Sequence, residues 1–254
     1  MTPTPSLHAL LLLSDSALPL GSFAFSSGLE SFLAHTKPQH PTSHARQHAF
    51  DAFLAHSLAN VASTALPYVL AAFHDPCLLV ELDNDFDAST PCTVARRASI
   101  AQGRALLALW ERALCPPSPA AASQPAAAAR ELTRFAQSAK SAAAVGISGL
   151  QQPNTHFPPL FGAVCRALAL TADDTAYIFL LNHAKALLSA AVRASVMGPY
   201  QAQALLASDT LQRRVNACAE RERGRGVADA AVTAPVIDLW MGRHELLYSR
   251  IFNS

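Results

Sequence analysis

Apolar residues recur every three to four positions along most of this 254-residue chain, the spacing that gives a helix one buried face. From Pro41 to Val61 the set Ala49, Phe50, Phe53, Leu54, Leu58 and Val61 keeps that spacing and predicts a helix. A second periodic stretch starts at Pro91, a residue suited to a first helical turn, and runs to about Leu114. Gly103 interrupts it at a cost of about 1 kcal/mol relative to alanine, and a glycine so placed often admits a second backbone. The most regular pattern spans Ala172 to Met197, with Thr171 placed to cap it and Asp173 and Asp174 suited to its N-terminus. Tyr177, Leu180, Leu181, Ala184, Leu187, Leu188, Ala191 and Val192 form one apolar stripe. Phe179, His183, Ala186, Ala190, Arg193 and Met197 form a second face, as in a helix central to a bundle or at a dimer contact. Gly198 and Pro199 then stop this helix and start another that runs to about Glu220. With no alternating strand pattern and no repeat, the expectation is all-α, a single-domain bundle of roughly eight to ten helices.

The two ends carry the least ordinary patterns. After the leucine run Leu10 to Leu13, Pro19 and Gly21 are expected to end the first helix, with Gly21 at positive φ. Ser27 and Glu30 have the spacing of a capping box, which predicts a second helix from Gly28, a position where proline would be acceptable. Phe23 and Phe25 lie in the short connection, where large aromatics need something to dock on. At the other end, Leu246, Leu247, Tyr248, Ile251 and Phe252 surround Arg250, although chain ends usually fray. If helical, this tail pairs 247 with 251 and 248 with 252. It either folds back on its own core or orders on a partner.

Composition sharpens the picture in three ways. Abundant alanine favours closely packed helices, and 51% hydrophobic against 15% charged residues suggests that part of the surface is covered by a partner. A net charge of +1 argues against general attraction to nucleic acid or acidic membranes. No run of 18 apolar residues predicts a membrane span, and the N-terminus, with Pro3 and Pro5 and no basic region, does not read as a signal peptide. Cys77, Cys92, Cys115, Cys165 and Cys218 are scattered and read as reduced thiols in a cytoplasmic protein.

Candidate chemistry is sparse. There is no phosphate-binding loop, dinucleotide fingerprint or nucleophile elbow. His40, His44 and His48 are spaced to share a helix face as metal ligands do, but read better as a polar face opposite Phe50 and Phe53. Asp83 to Asp87 imitates the opening of a calcium loop without its glycine or its final glutamate, and reads as a solvated acidic connection. Arg221 to Gly226 reads as a mobile loop or a partner contact, and Cys115 to Pro125 as a proline-rich surface loop. Cys165 follows His156 in sequence, with no third orienting group for thiol chemistry. No catalytic residue and no metal ligand is assigned, and no enzyme is expected.

Five blocks, in order, resemble a known family. Asp15 to Glu30, DSALPLGSFAFSSGLE, is similar to the N-terminal signature of the urease accessory protein family UreF, L-P-x-G-G-F-x-[YF]-S-x-G-L-E. His244 to Ser254, HELLYSRIFNS, resembles its C-terminal pattern H-E-x-L-Y-S-R-L-F-x-S. Arg97 to Gly103, His156 to Gly162, and Ser189 to Gln203 resemble the family's R-x-A-S-x-x-x-G, H-x-P-x-x-x-G and S-A-x-V-R-x-x-x-G-P-x-x-x-Q segments. Ser22 departs from the usual second glycine, and Cys115 to Ala129 looks like an insertion. The resemblance implies one domain over residues 1–254, with a flexible loop near 115–127 and a partner-docking tail at 243–254. It implies a cytoplasmic homodimer that binds UreD (also called UreH), recruits the GTPase UreG and serves nickel delivery to apo-urease. Nickel is then handled by the complex, with no cofactor bound directly. By the same resemblance Phe23, Glu30, His244, Glu245, Tyr248, Ser249, Arg250, Phe252 and Ser254 face the partner. His183, Arg193 and Gln203 lie at the dimer contact or face the GTPase. The alternatives within the pathway are a GTPase-activating protein supplying Arg193 or another residue in trans, and a nickel carrier using His40, His44 and His48.

Overall fold

A computed structural model describes residues 5–115, 123–145 and 153–253. Among them are eleven α-helices and no strand: α1 (Pro5–Leu13), α2 (Leu29–Thr36), α3 (Ser43–His74), α4 (Leu79–Ser89), α5 (Thr93–Leu109), α6 (Gln124–Val145), α7 (Phe157–Ala167), α8 (Ala172–Arg193), α9 (Pro199–Leu206), α10 (Asp209–Glu222) and α11 (Pro235–Arg243). The all-α expectation holds, with slightly more helices than anticipated. Ser254 and most of the predicted proline-rich loop lie outside the described residues.

α3 is the axis of the bundle. Thr42 caps it by accepting from the Ala45 N–H at 3.1 Å, and Ala49, Phe50, Phe53, Leu54 and Leu58 are buried as their spacing predicts. It packs against α7, α8 and α10, while α5 and α6 cover the other side of α7. One hydrophobic core runs from Ala9 in α1 to Phe252. By length and composition α3 and α8 could each cross a bilayer, yet 67% and 56% of their apolar windows are buried in this bundle. At Gly103 the second backbone is present: a Cβ there would overlap the Thr155 carbonyl oxygen.

Several element boundaries differ from expectation, each because a distant group intervenes. α1 stops at Leu13 rather than near Pro19, because α8 caps it: Asn182 donates to the Leu13 carbonyl at 2.8 Å and Lys185 donates to that of Ser14. The second helix starts at Leu29 with Gly28 rather than Ser27 at its N-cap, Ser27 and Gly28 being at φ 49° and 83°, and the Glu30 N–H bonds to the Ser26 hydroxyl at 3.3 Å. α5 begins at Thr93, past Pro91, and closes in a wider π turn over Trp110–Leu114. α8 is capped by Thr171 as predicted but ends at Arg193. The expected helix to Glu220 is two, because the Ser208 hydroxyl accepts from the Leu211 N–H at 3.2 Å and starts α10 anew. Asp83 to Asp87 is not a solvated connection but part of α4, with Asp83 fully buried. Arg221 to Gly226 is pinned rather than loose. Glu222 is buried and accepts from Arg221 and Arg225, and Arg223 reaches Glu220 and Asp173.

Candidate partner-binding face

The two ends of the chain meet. Glu30, in the first turn of α2, is nearly buried and its carboxylate accepts three N–H donors from the C-terminal segment. These are the Ile251 amide at 2.7 Å, the Phe252 amide at 3.2 Å and the buried His244 imidazole, through Nε2, at 2.8 Å. A carboxylate removed from water is costly unless its lone pairs are filled, and charge-assisted bonds of this kind are the stronger sort. The Asn253 N–H adds a bond to the Ala24 carbonyl at 2.8 Å, in the N-terminal crossover. Beyond a short turn at His244–Leu246, the tail crosses the surface as a non-helical strap, so the expected 247/251 and 248/252 helix faces do not form.

The strap sorts its side chains. Phe252 enters the core, and the Arg193 guanidinium lies 4.2 Å from the centre of its ring while donating to the Phe23 carbonyl. Arg193 is exposed and has no acidic partner among the described residues; a ring and two carbonyls are what its guanidinium meets. Along the strap and the crossover, Tyr248, Leu246 (76%), Phe23 (65%) and Ile251 (63%) stand open to solvent. Ser249 and Arg250 are also exposed. Arg97 pairs with Glu245, which also meets Arg250 at 3.4 Å, and the Arg97 contact holds the Glu245 carboxyl below the usual carboxylate range. The tail thus folds back through Phe252 while leaving Leu246, Tyr248 and Ile251 exposed along it.

Beneath the crossover, two cavities of about 190 and 200 Å³ share Phe25, Val61, Gln102, Phe157, Phe179 and His183 as walls. Phe25 therefore has the docking site its size demanded, whereas Phe23 does not. His183 lines both, half-buried, bonded through Nε2 to the Ser57 hydroxyl at 2.8 Å, and burial lowers its pKa to about 4. Gln203 is exposed on α9.

Gly28 ties this face to α11. At φ 83° it abuts the Met241 amide nitrogen and Trp240, so a Cβ would sit 3.0 and 3.2 Å from them. Nothing lies within 4 Å of the equivalent position at Gly21, whose φ is 69°. The expectation that Gly28 would accept proline is overturned.

A second network went unseen in the sequence. Asp83 accepts from three successive amides ahead of α7: Asn154 at 2.5 Å, Thr155 at 3.1 Å and His156 at 2.5 Å. Burial pushes its carboxyl upward against the pull of those donors. His156 bridges Asp87 at 2.8 Å and the Ser99 hydroxyl at 3.0 Å, and Arg96 grips Asp87. Serine, histidine and aspartate are in line, but Ser99 lies mid-helix and also accepts the Phe157 N–H at 3.2 Å, which makes this a brace between α4, α5 and α7. His44 and His48 are exposed on α3 while His40 precedes it, and no group of three or more His, Cys, Asp or Glu among the described residues could hold a metal ion.

Comparison with known proteins finds relatives of one family. A family profile described as UreF matches residues 45–208. The chain is 37% identical over 247 residues to an uncharacterized urease accessory protein UreF-like of Schizosaccharomyces pombe, covering 97% of each. It is 30% identical over 253 residues to urease accessory protein F of Oryza sativa subsp. japonica, covering 97% of this chain and 85% of the relative. With urease accessory protein F of Arabidopsis thaliana it shares 27% over 250 residues.

Proposed function

The chain belongs to the UreF family and so has a role as a urease accessory protein, and we propose that it acts as a non-catalytic scaffold in urease maturation. In this reading it binds UreD through the strap and crossover, and recruits the GTPase UreG so that nickel reaches apo-urease from the complex. The observation that carries it is the exposure of Leu246, Tyr248 and Ile251 along an ordered strap, with Phe23 exposed on the crossover that the strap meets. Aromatic and aliphatic anchors of this kind, beside arginine, are what protein interfaces bury at their centres. Leu7, Leu11 and Leu12, exposed on the uncharged α1, offer the surface on which a second copy would pair to give a cytoplasmic homodimer. Nickel is cargo here and is held by the assembly.

The test is co-purification of UreD and UreG with the full chain and with a chain ending at Leu247. The full chain should retain both, and the shortened chain should lose UreD first and UreG with it. Retention of UreD by a folded, shortened chain would move the interface elsewhere.

A further inference from the structure

We propose that Glu30 and His244 are positioning residues of the partner-binding face: they set the strap in the conformation that the partner reads, without touching the partner themselves. This rests on the proposed function, and deepens it, because the resemblance alone placed both residues in contact with UreD. His244 is fully buried and Glu30 nearly so, hence neither offers surface to a second protein. What they do offer is geometry. One carboxylate holds the amides of two successive strap residues, which fixes the backbone at 251 and 252 and so decides which side chains face outward. Phe252 is turned into the core as a result, and Ile251 is turned out. His244 closes the third side through Nε2, and its buried Nδ1 has no hydrogen-bond partner among the described residues. The imidazole is thus spent on Glu30 alone. An anchor held in its bound conformation binds more tightly, because less ordering entropy is lost on association.

The experiment uses the full chain with Glu30→Gln, which keeps the shape and removes one acceptor oxygen, because the amide NH2 then faces an N–H. Three readouts are taken: the thermal melt, the rate of tryptic cleavage after Arg250, and affinity for purified UreD. Cleavage at that bond requires the exposed Arg250 and its neighbours to leave the surface, so its rate reports opening of the strap. The loss of a charge-assisted bond should raise cleavage about tenfold and weaken UreD binding about tenfold, with helical circular dichroism unchanged. Asn253→Pro provides a second variant that leaves Glu30 and His244 unchanged, since it deletes the donor to Ala24 from the exposed side of the strap, and it should act in the same direction. It decides the matter if Glu30→Gln does not fold. Faster cleavage with unchanged UreD affinity would overturn the positioning role, as would unchanged cleavage. Failure of the wild-type chain to bind UreD would instead remove the proposed function, a result that no variant is needed to recognise.

Discussion

Arg193 and Phe252 stack, guanidinium carbon 4.2 Å from ring centre, and so join the end of α8 to the strap. A cation over an aromatic face at an accessible site contributes about 0.5–1 kcal/mol. Arg193→Ala should therefore lower the melting temperature only slightly, leave the sedimentation coefficient unchanged, and reduce UreD binding by loosening the strap. Arg193→Lys should not restore binding, because an ammonium cannot lie flat on the ring while reaching the Phe23 carbonyl. A shift from dimer to monomer in sedimentation would place Arg193 at a subunit contact instead.

Tyr248 and Phe252 should respond in opposite ways. Phe252 is buried, and Phe252→Ala should cost about 3 kcal/mol, measured by denaturant unfolding. Tyr248 is fully exposed, so Tyr248→Ala should leave stability within about 0.5 kcal/mol while abolishing UreD capture. Capture that survives Tyr248→Ala would exclude the tyrosine as an anchor.

Gly28→Ala should be more harmful than Gly21→Ala in a thermal melt. Both glycines sit at positive φ, which costs an alanine roughly 1 kcal/mol, but only at Gly28 would the new Cβ press on Met241 and Trp240. Overpacking there should add about 1–3 kcal/mol and separate α2 from α11. Equal melts would mean that α11 yields freely.

His183 should make the protein acid-sensitive. An unfolded histidine protonates near pH 6.5, whereas burial lowers the folded value to about 4. Between these limits the unfolded chain holds a proton that the folded chain does not. Stability therefore falls as pH drops from 6.5 to 4, by up to about 3 kcal/mol. His183→Gln should flatten the melting temperature across that window. A profile with the same slope as wild type would assign the sensitivity to other groups.

What the sequence revealed was local. The faces of α3 and α8 follow from their apolar spacing, the Thr171 cap from a hydroxyl three residues ahead of its donor, and the role of Gly103 from a missing Cβ in a periodic run. What it hid was set by distant partners. Asp83 looks solvated in sequence because its three donors lie 71 to 73 residues away. Glu30 looks like half of a capping box because the donors that claim it are 214 to 222 residues on. The break between α9 and α10 hangs on one serine, Ser208, whose capping role is invisible inside an otherwise unbroken periodic run. At the candidate face, motif resemblance named Glu30, His244 and Phe252 and missed that they point inward.

The separation of 222 residues between Glu30 and Phe252 also orders events in time. Contacts between segments so far apart form after local ones, since the intervening chain must first be gathered in. During synthesis the strap emerges when α2 through α11 have already left the ribosome. The face it completes is thus the last part of the described fold to close and, lying at the surface, among the first to open. A partner that recognises the closed strap is in effect inspecting whether everything upstream has folded, and would pass over a chain whose helices had formed but whose ends had not met.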